Sequence, residues 1–432
     1  MTEQRTIEVT VPALTRVEGE GSLDLKIVDG QIEKLRLSIF EPPRYYEKFL
    51  EGRDAQEVVD ATARICGICP VAYQMSASQA IESASGVQVP EWVNTMRRVF
   101  YCGEWLQSHS LHVHLLAAPD FLGFDSAIAM AEQYPEEVRR GLVLQGLGNQ
   151  LIRLLGGRSV HPIGITPGGF HRAPTLDEVA RMLEQLEAAL PEAEALLAWT
   201  ATLPLPDDQQ DFVSVSLRHA HEYPMFSGRI ISSDGLDIAP EEYEQHFEER
   251  HEAHSTALYS YLHGGDYLVG PLARLNLNLD RLPRPVAEAL AKTGIEFPSR
   301  NMFHSIVARA AEMLLALHEA IGLLRDYQVP EQSKVEVTPK AGIGYGISEA
   351  PRGILWHRYE FDENGLVRNA RIVPPTSQNQ ARIEDDLQRS LQAFGLDHDD
   401  DALRLRCEMV IRNYDPCISC ATHFLRLNTE RS

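Results

Sequence analysis

Residues 64–69 read RICGIC and residues 415–423 read DPCISCATH, so thiols stand three apart at Cys66 and Cys69 and again at Cys417 and Cys420. A CxxC pair lets two thiolates chelate one soft metal ion, and the glycine between the first two, Gly67, is expected to relieve a tight backbone path. Two such pairs make a four-sulfur cage. Taken alone they suit structural zinc or an iron–sulfur cluster. Their separation argues against a small zinc ribbon, whose pairs stand about 15 to 20 residues apart. Whatever they bind sits at the centre of the fold and ties both ends of the chain together.

The chain has 432 residues, enough for two or three average domains or one large multi-lobed unit. It is 44% hydrophobic and 24% charged, and no run approaches the roughly 18 apolar residues of a membrane span. The net charge of −22 opposes attraction to phosphate backbones or anionic lipid, so neither nucleic acid nor membrane is an expected partner. The N-terminal MTEQRTIEVTVPAL has no basic region followed by an apolar core, which points to the cytoplasm. A subunit without its own signal can still be exported on a partner that carries one. Six cysteines, four of them in the CxxC pairs, are too few for a disulfide scaffold. Cys102 and Cys407 are expected to be buried thiols.

TIEVTV (6–11) and SLDLKIVDGQIEKLRLSIF (22–40) alternate as strands do, the second turning at Asp29-Gly30. WHRYEFDENGLVRNARIV (356–373) is a second such unit, turning at Asn364-Gly365. Between them the pattern is helical. Val307, Ala310, Leu314, Leu317, Ile321 and Leu324 mark one face of a long helix between Met302 and Tyr327. Thr175 with Glu178 forms a capping box, and Pro191 is expected to interrupt or end the helix it starts. Further helices are expected over about 91–117 and about 127–155, the latter ending at Gly156-Gly157. EEYEQHFEERHEAH (241–254) and DHDDD (397–401) lack calcium-loop spacing and read as solvated surface.

The flanks of the cysteine pairs are specific. RICGIC and DPCISCATH, with LTRVEGEG (14–21), RYYEKFLEGRD (44–54), GGRSVHPIGITPGG (156–169), APRGILWH (350–357) and VPPTSQN (373–379) in order between and around them, resemble the nickel-iron hydrogenase large subunit over essentially the whole chain. The resemblance implies a mainly α fold with small α+β parts: a long central helix bundle with peripheral β-sheet units. One multi-lobed unit is expected, with a β-rich part over 1–60, a helical bundle over 61–335 and a β-hairpin and metal-binding part over 336–423.

It also implies roles. Cys66, Cys69, Cys417 and Cys420 would bind nickel, with Cys69 and Cys420 bridging to an iron that carries carbon monoxide and cyanide. Soft thiolates suit such metals. Cys417 would take the proton when hydrogen is split heterolytically, and Glu18 would relay it, as a carboxyl of tunable pKa within hydrogen-bond reach can. Glu47 and His423 would hold magnesium or iron(II), with a backbone carbonyl near Asn379 as a third ligand. Arg352 would donate hydrogen bonds to cyanide, Thr376 or Ser377 to the second cyanide, and Asp415 would pair with Arg352. His161 would face the iron–sulfur cluster of a neighbouring subunit. His109, His112 and His114 are read as packing and hydrogen-bonding residues.

Two positions depart from the membrane-bound uptake branch of that family: Tyr73, in CPVAYQMSA, stands where a histidine is usual, and Ser108 where an aspartate is. These, with EPPRYYEKF and CISCATHFLRL, resemble the cytoplasmic bidirectional branch, especially the NAD(P)-linked sulfhydrogenase type. Four of six cysteines being committed, electrons would leave through a small subunit carrying iron–sulfur clusters. A flavin-containing diaphorase subunit and a ferredoxin-like subunit would carry them on to NAD(P), with sulfur or polysulfide as a further acceptor. No GxGxxG opens a helix here, so no nicotinamide site is expected in this chain. Nickel chaperones and a maturation protease complete the implied partners, the protease removing FLRLNTERS (424–432) after His423. The competing readings are a hydrogen sensor signalling to a kinase, an electron-transfer scaffold like the related complex I subunit, which lacks the cysteines, and a structural zinc protein.

Overall fold

A computed structural model describes residues 6–338 and 340–422. Among the described residues helices dominate, and five small antiparallel sheets flank them. The helices Glu91–Leu111 and Pro135–Gly156 pack along one another, and Ser305–Arg325 packs against both Glu91–Leu111 and Leu176–Thr200. A glycine contact sets the first pair: a Cβ on Gly148 would lie 2.5 Å from the Gln107 nitrogen and 2.6 Å from the Gly103 carbonyl oxygen. No larger residue fits that crossing.

The long helix over Ser305–Arg325 forms as its periodicity predicts, but burial is not limited to the apolar face. Arg309 and Glu312 on its other side are also buried, because the helix runs through the middle of the bundle. Leu176–Thr200 runs straight through Pro191, contrary to the expected stop. Proline in a helix interior costs about 3 kcal/mol, whereas burying Ala193, Leu196 and Leu197 beyond it returns more than that. Two other helices are divided. The α-helix from Glu91 ends at Leu111 and continues as a π turn over His112–Ala117, where Pro119 has no N–H to close an α turn onto Leu115. The 127–155 stretch breaks into Ala127–Ala131 and Pro135–Gly156, with Pro135 at the first helical position.

Thr6–Val11, Gly21–Val28 and Gln31–Ile39 form one antiparallel sheet, with Val9 opposite Leu25 and Leu25 opposite Leu35. Gly353–Phe361 and Val367–Val373 form the second expected hairpin, turning through Gly365 at φ 74°. Gly342–Ala350 adds a strand to it that alternation did not reveal, because its glycines are there for contact. Cβ atoms on Gly344 and Gly346 would lie 1.9 Å from the carbonyl oxygens of Ala80 and Ser76. The strand thus lies directly on the helix Pro70–Ser85, whose N-cap is Cys69.

Strands also occur within 61–335, the part expected to be a helical bundle: Val215–Arg218, Arg229–Ser232 and Asp237–Ile238 form a sheet, and Phe247–His251 pairs with Leu258–Leu262. Their apolar sides join Trp356 and Ile347 in a second core, in which Tyr243 stacks on Phe247 at 4.4 Å and on Trp356 at 4.8 Å. The acidic run at 241–254 is therefore partly a strand, and the acidic run at 397–401 starts a helix: Asp399 caps Asp400–Asn413 by accepting from the Ala402 nitrogen at 2.8 Å. Among the described residues, no helix is long and apolar enough to cross a membrane.

Candidate metal centre

The two CxxC segments meet. The Sγ atoms of Cys66, Cys69, Cys417 and Cys420 all lie within 4.8 Å of one another, all four residues are buried, and none is in a disulfide. Cys66 lies 3.4 Å from Cys417, Cys69 lies 3.9 Å from Cys420, and Cys417 lies 2.8 Å from Cys420. No other group of three or more metal-ligating side chains is found among the described residues.

Local structure explains the convergence. Cys66 Sγ accepts from the backbone nitrogens of Ile68 at 3.3 Å and Cys69 at 3.2 Å, which folds the first pair into a turn. Gly67 is not what allows it: its backbone is ordinary, and a Cβ there would meet nothing within 4 Å. Cys417 caps the short helix Ile418–Ala421, and the Ile418 nitrogen donates to the Glu18 carbonyl at 3.0 Å. Gly19 makes this approach possible, with φ 92° and a Cβ position only 2.5 Å from Ile418 Cβ. Arg44 joins the two segments. Its guanidinium donates to the Ile65 carbonyl at 2.6 Å and to the Ser419 carbonyl, and its backbone nitrogen donates to the Thr422 carbonyl at 2.7 Å.

Burial raises the thiols of Cys69, Cys417 and Cys420, whereas Cys66 is held well below the usual range: burial opposes its ionisation, but hydrogen bonds from the other three thiols outweigh it. Four packed thiols thus share a negative charge that a cation would neutralise. Beside them, the Cys417 thiol points at Glu18 Oε2 at 3.1 Å, and the same oxygen accepts from the Ser419 nitrogen at 3.1 Å. Ser419 Oγ continues to Glu41 at 2.7 Å. Glu18 is half-buried, so it stands between the closed cluster and the exterior.

Arg352 is buried, and its Nε donates to the Asp415 carbonyl at 2.6 Å and its Nη2 to Asp415 Oδ1 at 2.9 Å. Its Nη1 is buried without a protein partner among the described residues. Burial would lower its pKa, but Asp415 and the charges of Cys417, Cys69 and Cys66 hold it well above the usual value. Asp415 is held below its ordinary range against burial, Arg352 being the largest stabilising charge. Thr376 Oγ1 accepts from the Cys417 nitrogen at 3.0 Å, and Ser377 Oγ donates to the Pro374 carbonyl at 2.9 Å.

The remaining positions lie around this centre. Glu47 Oε1 accepts from the Ile372 nitrogen at 2.8 Å, which makes the strand Val367–Val373 its neighbour. His423 lies outside the described residues, as does 424–432. His161, at φ 49°, has Nδ1 2.6 Å from the Ala63 carbonyl, on the chain that leads to Cys66, between the exposed Val160 and Ile163. Tyr73 and Ser108 are fully buried; the Tyr73 hydroxyl lies against Cys420, and the Ser108 hydroxyl has no partner among the described residues. Burial first, then the charges of Cys420, Cys69 and Cys66, raises Tyr73 well above the usual tyrosine value. His109, His112 and His114 hydrogen-bond to Glu312 at 2.9 Å, the Arg412 carbonyl at 2.7 Å and the Ser110 carbonyl at 3.0 Å. Burial lowers them to about 4, 3 and 4, so they are neutral internal residues.

Three residues had no sequence signal of their own. Arg44 is one, although it opens the RYYEKFLEGRD stretch that contains Glu47. Glu104, fully buried, accepts from the nitrogens of Val71 at 2.6 Å and Ala72 at 3.1 Å and so caps the helix that begins beyond Cys69. Arg309 donates to Asp415 Oδ2 at 3.3 Å.

The donor set fits the implied metals. Cross-pair sulfur distances of 3.4 and 3.9 Å bracket the edge of about 3.8 Å expected for metal–sulfur bonds of about 2.3 Å, whereas Cys417 and Cys420, at 2.8 Å, stand closer together than that edge. The all-thiolate chemistry suits a soft transition metal. The unpartnered Arg352 Nη1 is the donor that an acceptor ligand on such a metal needs.

The sequence profile of the nickel-dependent hydrogenase family matches residues 44–140 and 235–423. The chain is 33% identical to the sulfhydrogenase 2 subunit alpha of Pyrococcus furiosus, over 97% of this chain and all of that one. It is 29% identical to the NAD-reducing hydrogenase HoxS subunit beta of Cupriavidus necator, over 97% of this chain and 95% of that one. A crystal structure of an NAD+-reducing [NiFe]-hydrogenase in the H2-reduced state superposes with a TM-score of 0.88 at 28% identity, covering 97% of this chain and 99% of the other.

Proposed function

From the premise that this chain belongs to the nickel-dependent hydrogenase family and is its catalytic large subunit, we propose that it splits and forms hydrogen reversibly, with Cys417 and Glu18 moving the proton. The observation that carries this reading is the 3.1 Å contact between Cys417 Sγ and Glu18 Oε2 beside a four-thiolate cluster. When bound, a nickel-iron centre supplies the Lewis acidity and electron-accepting capacity that polarise hydrogen.

Cys66, Cys69, Cys417 and Cys420 would together hold the nickel-iron centre, with Cys69 and Cys420 shared with the iron. Cys417 accepts the proton, its thiolate being the one in reach of a carboxylate. Glu18 takes it next, its half-buried carboxylate, held by the Ser419 backbone N–H, standing on the exterior side of the thiol cluster. Arg352, fixed by Asp415, would offer its Nη1 to a cyanide ligand of that centre, and Thr376 or Ser377 would donate to a second one. Glu47, which accepts from the Ile372 nitrogen, would with His423 hold a magnesium or iron(II) ion.

Electrons leave past His161 to the iron–sulfur clusters of a small subunit, then through ferredoxin-like and flavin-containing diaphorase subunits to NAD(P), in the cytoplasm. The similarity to a sulfhydrogenase alpha subunit and to a NAD-reducing hydrogenase subunit supports this branch, and the former supports sulfur or polysulfide as a further acceptor. A maturation protease removes 424–432 after nickel chaperones have loaded the site. The test is hydrogen-dependent reduction of NAD and NADP by the purified native complex. Reduction of either supports the branch, and hydrogen oxidation with an artificial dye alone overturns it.

A further inference from the structure

We propose that Arg309, oriented by His109, is a positioning residue that locks the Asp415–Arg352 pair over the thiolate cluster. The inference rests on the reading of Arg352 given above. Asp415 is a shared acceptor between two guanidinium groups: Oδ1 takes Arg352 Nη2 at 2.9 Å, and Oδ2 takes Arg309 Nη1 at 3.3 Å. With both carboxylate oxygens engaged, Asp415 cannot rotate about its terminal bond without losing one partner. Its backbone is in the left-handed region at φ 55°, two residues before Cys417, and its carbonyl also receives Arg352 Nε at 2.6 Å. Arg352 is thereby fixed at two points, and the nitrogen left over is the unpartnered Nη1.

Arg309 is itself fixed from behind. Its Nη1 lies 3.3 Å from His109 Nδ1. A guanidinium has no lone pair to offer, so Nδ1 is the acceptor and the His109 proton sits on Nε2, which donates to Glu312 Oε2 at 2.9 Å. Glu312 is gripped at both oxygens by Arg274, at 2.7 and 2.8 Å, and by Tyr223 at 2.8 Å. Arg274 continues to Glu349 at 2.6 Å and lies over the Trp105 ring at 4.5 Å. Every member is buried. Three guanidiniums, Arg352, Arg309 and Arg274, balance three carboxylates, Asp415, Glu312 and Glu349. The line from Arg274 to Arg352 is therefore a rigid strut running from the bundle to the metal centre, and an interior ion network of this kind is specific in geometry even where it adds little net stability.

The test compares native complexes carrying Arg309→Met, Arg309→Lys and Arg352→Lys for nickel and iron content, for the infrared bands of the diatomic ligands, and for hydrogen oxidation. The expected result is that Arg309→Met keeps its metals, shifts or broadens the infrared bands and lowers turnover on the order of tenfold to a hundredfold, with Arg309→Lys restoring part of both. Unchanged bands, or a turnover loss that merely follows metal content, overturn the inference. If Arg309→Met does not assemble, His109→Leu decides, since it removes the acceptor behind Arg309 and leaves every charge in place: shifted bands with metals retained support the strut, and unchanged bands overturn it. Arg352→Lys separates the two levels. A band shift there with none in the Arg309 and His109 variants overturns the strut alone, and no shift in any variant overturns the role of Arg352 as well.

Discussion

Cys417 Sγ and Glu18 Oε2 lie 3.1 Å apart although 399 positions separate them in the chain. The contact is built by backbone: Glu18 and Cys417 form an isolated parallel bridge, and the Ser419 nitrogen donates to the same carboxylate oxygen that faces the thiol. A carboxylate held this way can exchange a proton with the thiolate without moving. Replacing Glu18 with Gln keeps the shape and removes the proton site. Turnover is expected to fall about 10²- to 10⁴-fold, with nickel and iron content unchanged, as read by hydrogen–deuterium exchange and elemental analysis on one preparation. Wild-type exchange would remove Glu18 from the proton path.

Arg44→Ala should uncouple the two cysteine segments. Its guanidinium spans the Ile65 and Ser419 carbonyls, one from each segment, and alanine leaves both acceptors without that donor. Loss of a charged donor to a buried acceptor costs about 1 to 3 kcal/mol, enough to open the site more than it unfolds the domain. The expected outcome is a folded complex that retains less nickel on dialysis against a chelator. Full retention would show that the segments close without the clamp.

Gly346→Val puts side-chain atoms where the Cβ position is already 1.9 Å from the Ser76 carbonyl oxygen. The strand and the helix Pro70–Ser85 must separate, at a cost of about 1 to 3 kcal/mol or more. Because Cys69 caps that helix, thermal stability and metal content are expected to fall together. A variant with lowered melting temperature but full metal content would contradict the coupling.

Acid should weaken the fold from about pH 6.5 downward. Burial lowers His109 to about 4, His112 to about 3 and His114 to about 4, against an unfolded value near 6.5. Folded-state values below the unfolded ones mean that the unfolded chain binds protons first, so stability is complete above pH 6.5 and is lost as pH falls toward 4 and 3. Each histidine contributes on the order of 3 kcal/mol across its window. Glu312, lowered to about 2 because Arg274 overcomes its burial, adds a further loss below about pH 4.5. Asp386, raised by burial to about 6, and the likewise raised Glu104 and Glu349 carry the opposite sign, so the histidine part is read by difference. Wild type should lose more melting temperature than His114→Leu as pH falls from 7 to 5, and an equal loss would contradict the buried neutral histidines.

What could be read from the sequence was chemistry repeated locally. The CxxC pairs, the turns at Gly30 and Gly365, the capping box at Thr175 and the apolar stripe from Val307 to Leu324 are each written within a few residues of chain. The nickel-dependent hydrogenase family was legible through the flanks of those pairs. Arg44, Glu104 and Arg309 were not, because their partners lie in distant segments and a buried polar contact leaves no periodic trace. Pro191 misled because local propensity was set against packing that only the assembled bundle supplies. Gly67 misled in the opposite sense, a glycine in a motif whose conformation does not need one, whereas Gly344 and Gly346 matter through contacts the sequence does not display.

The central claim is that the four cysteines hold one nickel-iron centre. It is tested most directly by metal analysis of the anaerobically purified native complex beside Cys66→Ser and Cys420→Ser variants. About one nickel per large subunit is expected, with iron in excess of that held by partner clusters, and nickel should be lost in both variants. Zinc in place of nickel and iron, or nickel retained without Cys66 and Cys420, would contradict it.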